Sequence, residues 1–392
     1  MRRVLPILAI AALGCSDDDP VRNANCSACN SDAGDSGSIP DSAVDASIAD
    51  SATDGTVDAS AETGADAASD CLKQASGVGV AEADLDGYPP YSVDGCNMAY
   101  VSSAGDLLLR DLATGSEESV ALAAEAPRRP TLSAGVLAWE AEIAGKTVVR
   151  LRTAGANLSL SGSFDHAREP RASGDAVVFT GFLGTTDASD SDVFLYDLAT
   201  KTVSALQSAK GQQRFADVSA THVAWSDFSE DPSGVYSGDG TSLADIVLFD
   251  RVTKKLQSIA LGGKQAFPML AVAGSLGFLD WLAVHPVPKL QDYRIMALPL
   301  ADLSAKPKLV ASVLSEVAVR PSANATRVEW VVRWSGKSTL HRAPLDGSAA
   351  PVEVGLGAVA EVHAPVGTTG LSVVATRSAP GAPPTLKAFA AP

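Results

Sequence analysis

Residues 126–139 read APRRPTLSAGVLAW. Pro130 leads through Ser133 and a small-residue turn into an apolar run that ends in Trp139, and the phrase is not unique. Seven copies lie along the chain: YPPYSVDGCNMAYV, RRPTLSAGVLAW, REPRASGDAVVF, RFADVSATHVAW, AFPMLAVAGSLGF, VRPSANATRVEW and HAPVGTTGLSVV. Their last apolar positions are Tyr100, Trp139, Phe179, Trp225, Phe278, Trp330 and Val374, spaced by 39, 40, 46, 53, 52 and 44 residues.

Each copy continues alike, with a second strand, a variable loop, a third strand ending in an acidic turn, and a fourth strand. The third strand is clearest in DLLLRDLATGSEE, DVFLYDLATKTVS and DIVLFDRVTKKLQ, where Asp111, Asp197 and Asp250 lead into the turn. No long segment has the 3.6-residue period of a helix, so the pattern is all-β. A unit of about 40 to 50 residues holding four short strands is what a β-propeller blade requires. The repeat therefore predicts a seven-bladed β-propeller over residues 71–392, with a pair of β-sandwiches as the alternative. The seventh copy stops after three strands, and ASGVGVAEA at residues 75–83 belongs to no copy. Pairing that N-terminal strand with TLKAF near the C-terminus would close the last blade and remove two exposed edges.

These strands and turns resemble the TolB-type repeat of WD40-like propellers. The resemblance covers residues 87–392, with SVDG at Ser92–Gly95 approaching that family's Ser-Pro-Asp-Gly turn. It implies the propeller fold and, by analogy, a binding or interaction scaffold. Some TolB-like propellers are polysaccharide lyases that hold a metal on several channel histidines. Of the five here (His166, His222, His285, His341, His363), His363 and His166 fall at suitable positions. An exported enzyme acting on an anionic carbohydrate is thus the alternative function, although no nucleophile elbow, phosphate loop or paired-carboxylate motif assigns a catalytic residue.

The start of the chain gives an address. MRRVLPILAIAALGC has two arginines, an apolar run and small residues before a cysteine, the pattern of an export signal over residues 1–14. Its ALGC ending resembles the lipobox of bacterial lipoproteins, which implies acylation of Cys15 and attachment to the cell envelope, with Ser16 favouring the outer membrane. Residues 15–70 follow as an acidic Ser/Asp/Ala-rich tether. From residue 16 it carries thirteen acidic residues against Arg22 and has no aromatic residue, so it cannot bury enough apolar surface to order itself. The net charge of -16 argues against a nucleic-acid partner. Four cysteines besides Cys15 suggest disulfides, Cys71 with Cys96 and Cys26 with Cys29; for the Cys26–Cys29 pair a metal pair or a redox motif is the alternative, although two thiolates alone make a poor zinc site and a tether supplies no thioredoxin-like setting.

Candidate site residues come from the phrase itself. Arg128, Arg168 and Arg214 lie eleven residues before their marker aromatics, with Arg320 and His363 near the same level. Such a ring at the channel mouth would attract an anionic ligand or an envelope protein; the alternative is pairing with Glu125, Glu169, Asp217 and Glu361. Long second-to-third strand loops in copies 3 to 5 mark that end as the working face. Asp187, Asp190 and Asp192 share one such loop and read as a solvated hairpin, with Ca²⁺ the alternative. No cofactor is expected, and a monomer is.

Overall fold

The computed structural model describes residues 71–82, 88–236, 243–259, 264–271, 275–282, 291–315, 320–324, 326–335, 337–356, 361–362, 366–367, 371–379 and 381–390. The leader, the tether with Cys15, Cys26 and Cys29, and His285 and His363 lie outside them. Four-stranded sheets succeed one another along the chain, seven in all among the described residues. Their inner strands begin with Tyr91–Asp94, Arg128–Ser133, His166–Ser173, Gln213–Val218 and Lys264–Leu270. The sixth is Ser322–Ala323, and of the seventh the pieces Glu361–Val362 and Val366–Gly367 are described. Each inner strand packs on the next, and Val366–Gly367 packs back on Tyr91–Asp94. The architecture is that of an all-β propeller.

The expectation of a seven-bladed propeller needs correction. Five sheets are regular four-stranded meanders with inner strands of at least four residues, whereas in the last two sheets only two-residue pieces of inner strand fall among the described residues.

The core consists of the layers between sheets. In Ala176–Phe182, the second strand of the third sheet, every residue is buried, because each face is covered by a neighbouring sheet. Val177 and Phe179 pack toward the second sheet while Ala176 and Val178 pack toward the fourth, as the two-residue strand period demands. Trp139, Phe179, Trp225 and Trp330 are at most 2% exposed, each wedged against a neighbouring sheet. Truncating one would cost about 3–5 kcal/mol, so the recurring aromatic belongs to packing.

The third-strand turns also follow from their sequence. Asp111 Oδ1 accepts the Ala113 amide at 2.8 Å, Asp197 Oδ1 the Thr200 amide at 2.8 Å and Asp250 Oδ1 the Val252 amide at 2.8 Å. Asp250 Oδ1 also accepts the Thr253 amide at 3.0 Å, and that bond more than any other holds Asp250 down at about 2. Asp302 with Ser304 and Asp346 with Ser348 repeat the device in the fifth and sixth sheets.

The expected N-terminal strand over residues 75–83 is not formed as such: residues 71–75 are helical, and Gly79 and Val80 make only isolated bridges, to Thr385 and Ser102, but residues 77–80 do run where the missing partner belongs. Gly77 donates to the Leu386 carbonyl at 2.8 Å, Leu386 to Val78 at 2.8 Å and Val80 to Pro384 at 3.1 Å. Ala81 meanwhile donates to Val101 in the first sheet at 2.9 Å. Cys71 and Cys96 form a disulfide with their Cα atoms 5.6 Å apart, buried among Tyr91, Met98 and Leu386.

Candidate functional site

One backbone irregularity decides where the channel side chains point. Arg129, Glu169, Phe215 and Phe267 occupy the same place in four successive inner strands, and all have positive φ, between 50° and 60°. The ladder register slips at each of these places. Such a bulge is costly for a side chain with a Cβ, and it is held by hydrogen bonds around the ring. The Glu169 amide donates to Glu140 Oε1 at 2.7 Å, the Phe215 amide to Glu169 Oε2 at 3.1 Å and the Phe267 amide to Ser226 Oγ at 3.0 Å. The sequence carried a signal for it: Pro130, Pro170 and Pro268 follow three of the four residues, and proline inside a strand marks a bulge.

The bulges assemble a buried charge network rather than an open cationic ring. Arg129 Nη1 lies 3.0 Å from Glu140 Oε1 and 3.7 Å from Glu169 Oε1. Arg214 grips Glu169 Oε1 through Nε at 3.2 Å and Nη2 at 2.5 Å, while Thr180 donates to Oε2 at 2.8 Å. Burial pushes Glu169 up, but the Arg214 and Arg129 guanidiniums outweigh it and hold the carboxyl at about 2. Glu140 goes the other way: burial raises it more than Arg129 lowers it. A second lock joins the sixth and seventh sheets, where Glu329 Oε1 meets Arg327 Nε at 3.1 Å, Arg342 Nη2 at 2.7 Å and Ser372 Oγ at 2.9 Å.

The arginines singled out in the sequence are therefore placed differently from an anion-collecting mouth. Arg214 is 5% exposed and paired with Glu169. Arg168 meets Asp187 at 2.7 Å, and Arg128 lies 3.8 Å from Glu140. Arg320 lies over the rings of Tyr88 and Phe267, 3.9 Å and 4.1 Å from their centroids. Matched acids and aromatic faces have taken up these charges, Glu140 being brought in from the neighbouring strand and Asp187 from a loop. Of the acids near in sequence, Glu169 serves Arg214 while Glu125 pairs with Arg150. The Ca²⁺ candidate is dispersed likewise. Asp187 is engaged by Arg168 and by His166 at 3.2 Å, and Asp192 is a buried carboxyl raised by desolvation. No metal-holding group of His, Cys, Asp or Glu occurs among the described residues. His166 stacks on Phe182, while His222 and His341 bond Thr221 and Thr339 separately.

A cavity of about 740 Å³ occupies the channel. Tyr88, Phe215, Phe267 and Arg320 line its inner end, and Arg129, Arg171 and Arg320 stack around the Tyr88 ring at 4.4, 5.5 and 3.9 Å. Its walls rise past Ser92, Arg171, Asp217, Met269 and Ser322 to the exposed first-to-second strand turns at Gly95, Gly174 and Thr221. It thus opens on the short-turn end, opposite the long loops that marked the working face in the sequence. On the long-loop side Tyr236 packs edge-on against Phe215 and Phe267. Sequence spacing missed the cavity because it belongs to no one copy.

No family model matches the chain, and no curated protein does. Among solved structures it is similar to a prolyl endopeptidase, at 13% identity over 83% of this chain and 52% of that one, with a TM-score of 0.55. It is similar to the tricorn protease at 11% identity over 76% and 33% of the two chains, TM-score 0.54. A TolB from Acinetobacter baumannii aligns at 14% identity over 62% and 57%, TM-score 0.43. The chain spans about half or less of the peptidases it matches, and the first two likenesses show the β-propeller fold alone.

Proposed function

We propose that this chain is a cell-envelope lipoprotein whose propeller works as a binding or interaction scaffold, with the central cavity as its binding surface. The observation that carries the reading is the cavity itself: closed by aromatic and cationic side chains at one end, ringed by exposed turns at the other, and of a size that small-molecule and peptide sites have. The alternative, an enzyme acting on an anionic carbohydrate, has less support, since two of its central residues, Arg168 and Arg214, are paired with Asp187 and Glu169, while His363 lies outside the described residues.

In this reading the seven sheets make one ring sealed by residues 77–80, and the domain is a monomer. Cys15 is acylated at the outer membrane, and the acidic tether lets the propeller search for an envelope protein or anionic ligand. Among the described residues no helix is long and apolar enough to cross a membrane. Mass spectrometry of the mature N-terminus tests the anchor; an unmodified Cys15 would sink it. For the scaffold, a photo-crosslinking amino acid at Thr221, on the cavity rim, is compared with one at Val252, an exposed third-to-fourth strand turn residue. Adducts formed from Thr221 and not from Val252 are expected; equal labelling would defeat the assignment of the cavity.

A further inference from the structure

One position of the repeat separates architecture from ligand chemistry. The residue paired with the position just before each marker aromatic is Ser92, Thr131, Arg171, Asp217, Met269 and Ser322 in the first six sheets. Three of these do the same structural work. Ser92 Oγ accepts the Leu132 amide at 3.0 Å, Thr131 Oγ1 the Ala172 amide at 3.3 Å and Asp217 Oδ2 the Leu270 amide at 2.7 Å. Each bond stitches an inner strand to the next sheet. Arginine has no acceptor, so Arg171 cannot stitch the third sheet to the fourth.

Its surroundings engage its charge only through space. Among the described residues the Arg171 guanidinium has no hydrogen bond and no carboxylate within 4.0 Å. It lines the cavity and lies 5.5 Å from the Tyr88 ring centroid. This differs from Arg129, Arg214 and Arg327, which are nine-tenths buried and held by glutamates. Asp217 faces the same space; burial raises its carboxyl, and Arg171 is the charge that opposes the rise. Ser133 and Ser322 add hydroxyls to the wall, and Leu132, Met269 and Leu270 add apolar surface.

We propose that Arg171 anchors a small organic monocarboxylate in the central cavity, its guanidinium forking onto the carboxylate beside Tyr88 while a partly apolar, partly hydroxylated body extends toward the rim. A single negative charge fits. Asp94 and Asp217 already line the cavity, so a dianion would meet repulsion that one guanidinium does not offset. The carboxylate can belong to a free sugar acid or to the end of a short peptide, since both present the same group. The inference rests on the cavity being the binding surface.

Isothermal titration of the full-length protein with galacturonate, hexanoate and an acetylated tripeptide acid, each beside its uncharged amide, tests it and identifies the source. At least one acid is expected to bind and its amide not. Arg171→Gln should weaken that acid by about tenfold or more, the loss of one charge-assisted hydrogen-bonded contact, and Arg171→Lys should restore part of it. Asp217→Asn should strengthen it several-fold by removing the opposing charge. A structural role for the pair would shift both variants in one direction. Equal binding of acid and amide, unchanged affinity in Arg171→Gln, or no binding by any acid would overturn the anchor. Adducts from Thr221 would still stand in that event, which separates this failure from failure of the scaffold reading.

Discussion

Two levels of the same channel, a few residues apart along the inner strands, treat charge in opposite ways. At the bulge level Arg129, Glu140, Glu169 and Arg214 are buried, and each guanidinium meets a carboxylate within 3.0 Å. One step toward the short turns, Arg171 and Asp217 face an open cavity and share only a through-space attraction. The positive-φ residue makes the difference, because it re-aims the side chains of one level across the sheet boundary and leaves the next in the channel. Buried, matched charge speaks for register between sheets; exposed, unmatched charge in a cavity speaks for a ligand.

The largest effect should come from breaking the lock. Glu169→Gln leaves Arg214 and Arg129 short of their shared carboxylate and is expected to lower unfolding free energy by about 3–5 kcal/mol in urea melts. A change under about 1 kcal/mol would mean that the network is not holding the sheets together.

Acid should then dissect the same lock. Glu169 sits at about 2 in the folded protein against an ordinary 4.5. A depressed folded pKa gives stability that is complete above about pH 4.5 and fades as pH falls toward 2, here by roughly 3 kcal/mol. The wild-type stability curve should bend down over that window, and Glu169→Gln should flatten it. Asp250, also at about 2, adds to the same limb, so Asp250→Asn should flatten it further. Parallel curves for all three proteins would contradict the assignment.

Opening the ring seam comes next. Cys71→Ser with Cys96→Ser removes a bridge spanning 25 residues and should cost about 2–4 kcal/mol. Amide exchange should accelerate first at Gly77, Val80 and Leu386, which hold the seam; uniform acceleration over all sheets would count against a local seam. The smallest change sharpens the comparison most. Arg171→Gln should alter stability by no more than about 0.5 kcal/mol, because no described partner loses a bond. A loss like that of Glu169→Gln would return Arg171 to the architecture.

Much of this was legible in the sequence, for reasons the structure makes explicit. The repeated aromatic, the Asp turn and the unpaired N-terminal segment are local signals, each set by a few adjacent residues. The partners of the arginines were not legible. Arg128 finds Glu140 across a hairpin and Arg168 finds Asp187 in a distant loop, both consequences of register. Arg214 found Glu169, the acid next to Arg168 in sequence, across the boundary to the preceding sheet. The position of Arg171 in REPRASGDAVVF was in plain view, yet its oddness appears only beside the stitching done by Ser92, Thr131 and Asp217. Loop length pointed to the end of the channel opposite the cavity mouth, the end where Tyr236 packs on the aromatic floor.

The disulfide has a mechanical consequence. Tension applied from the N-terminal side of Cys71 reaches Cys96 through the sulfur bridge and enters the first sheet at the turn between its first two strands. The segment between the two cysteines, including residues 77–80 that bond the last strand, is left slack on a covalent shortcut. A domain held by its N-terminal end can therefore be pulled upon without that segment being peeled from Thr385–Ala390.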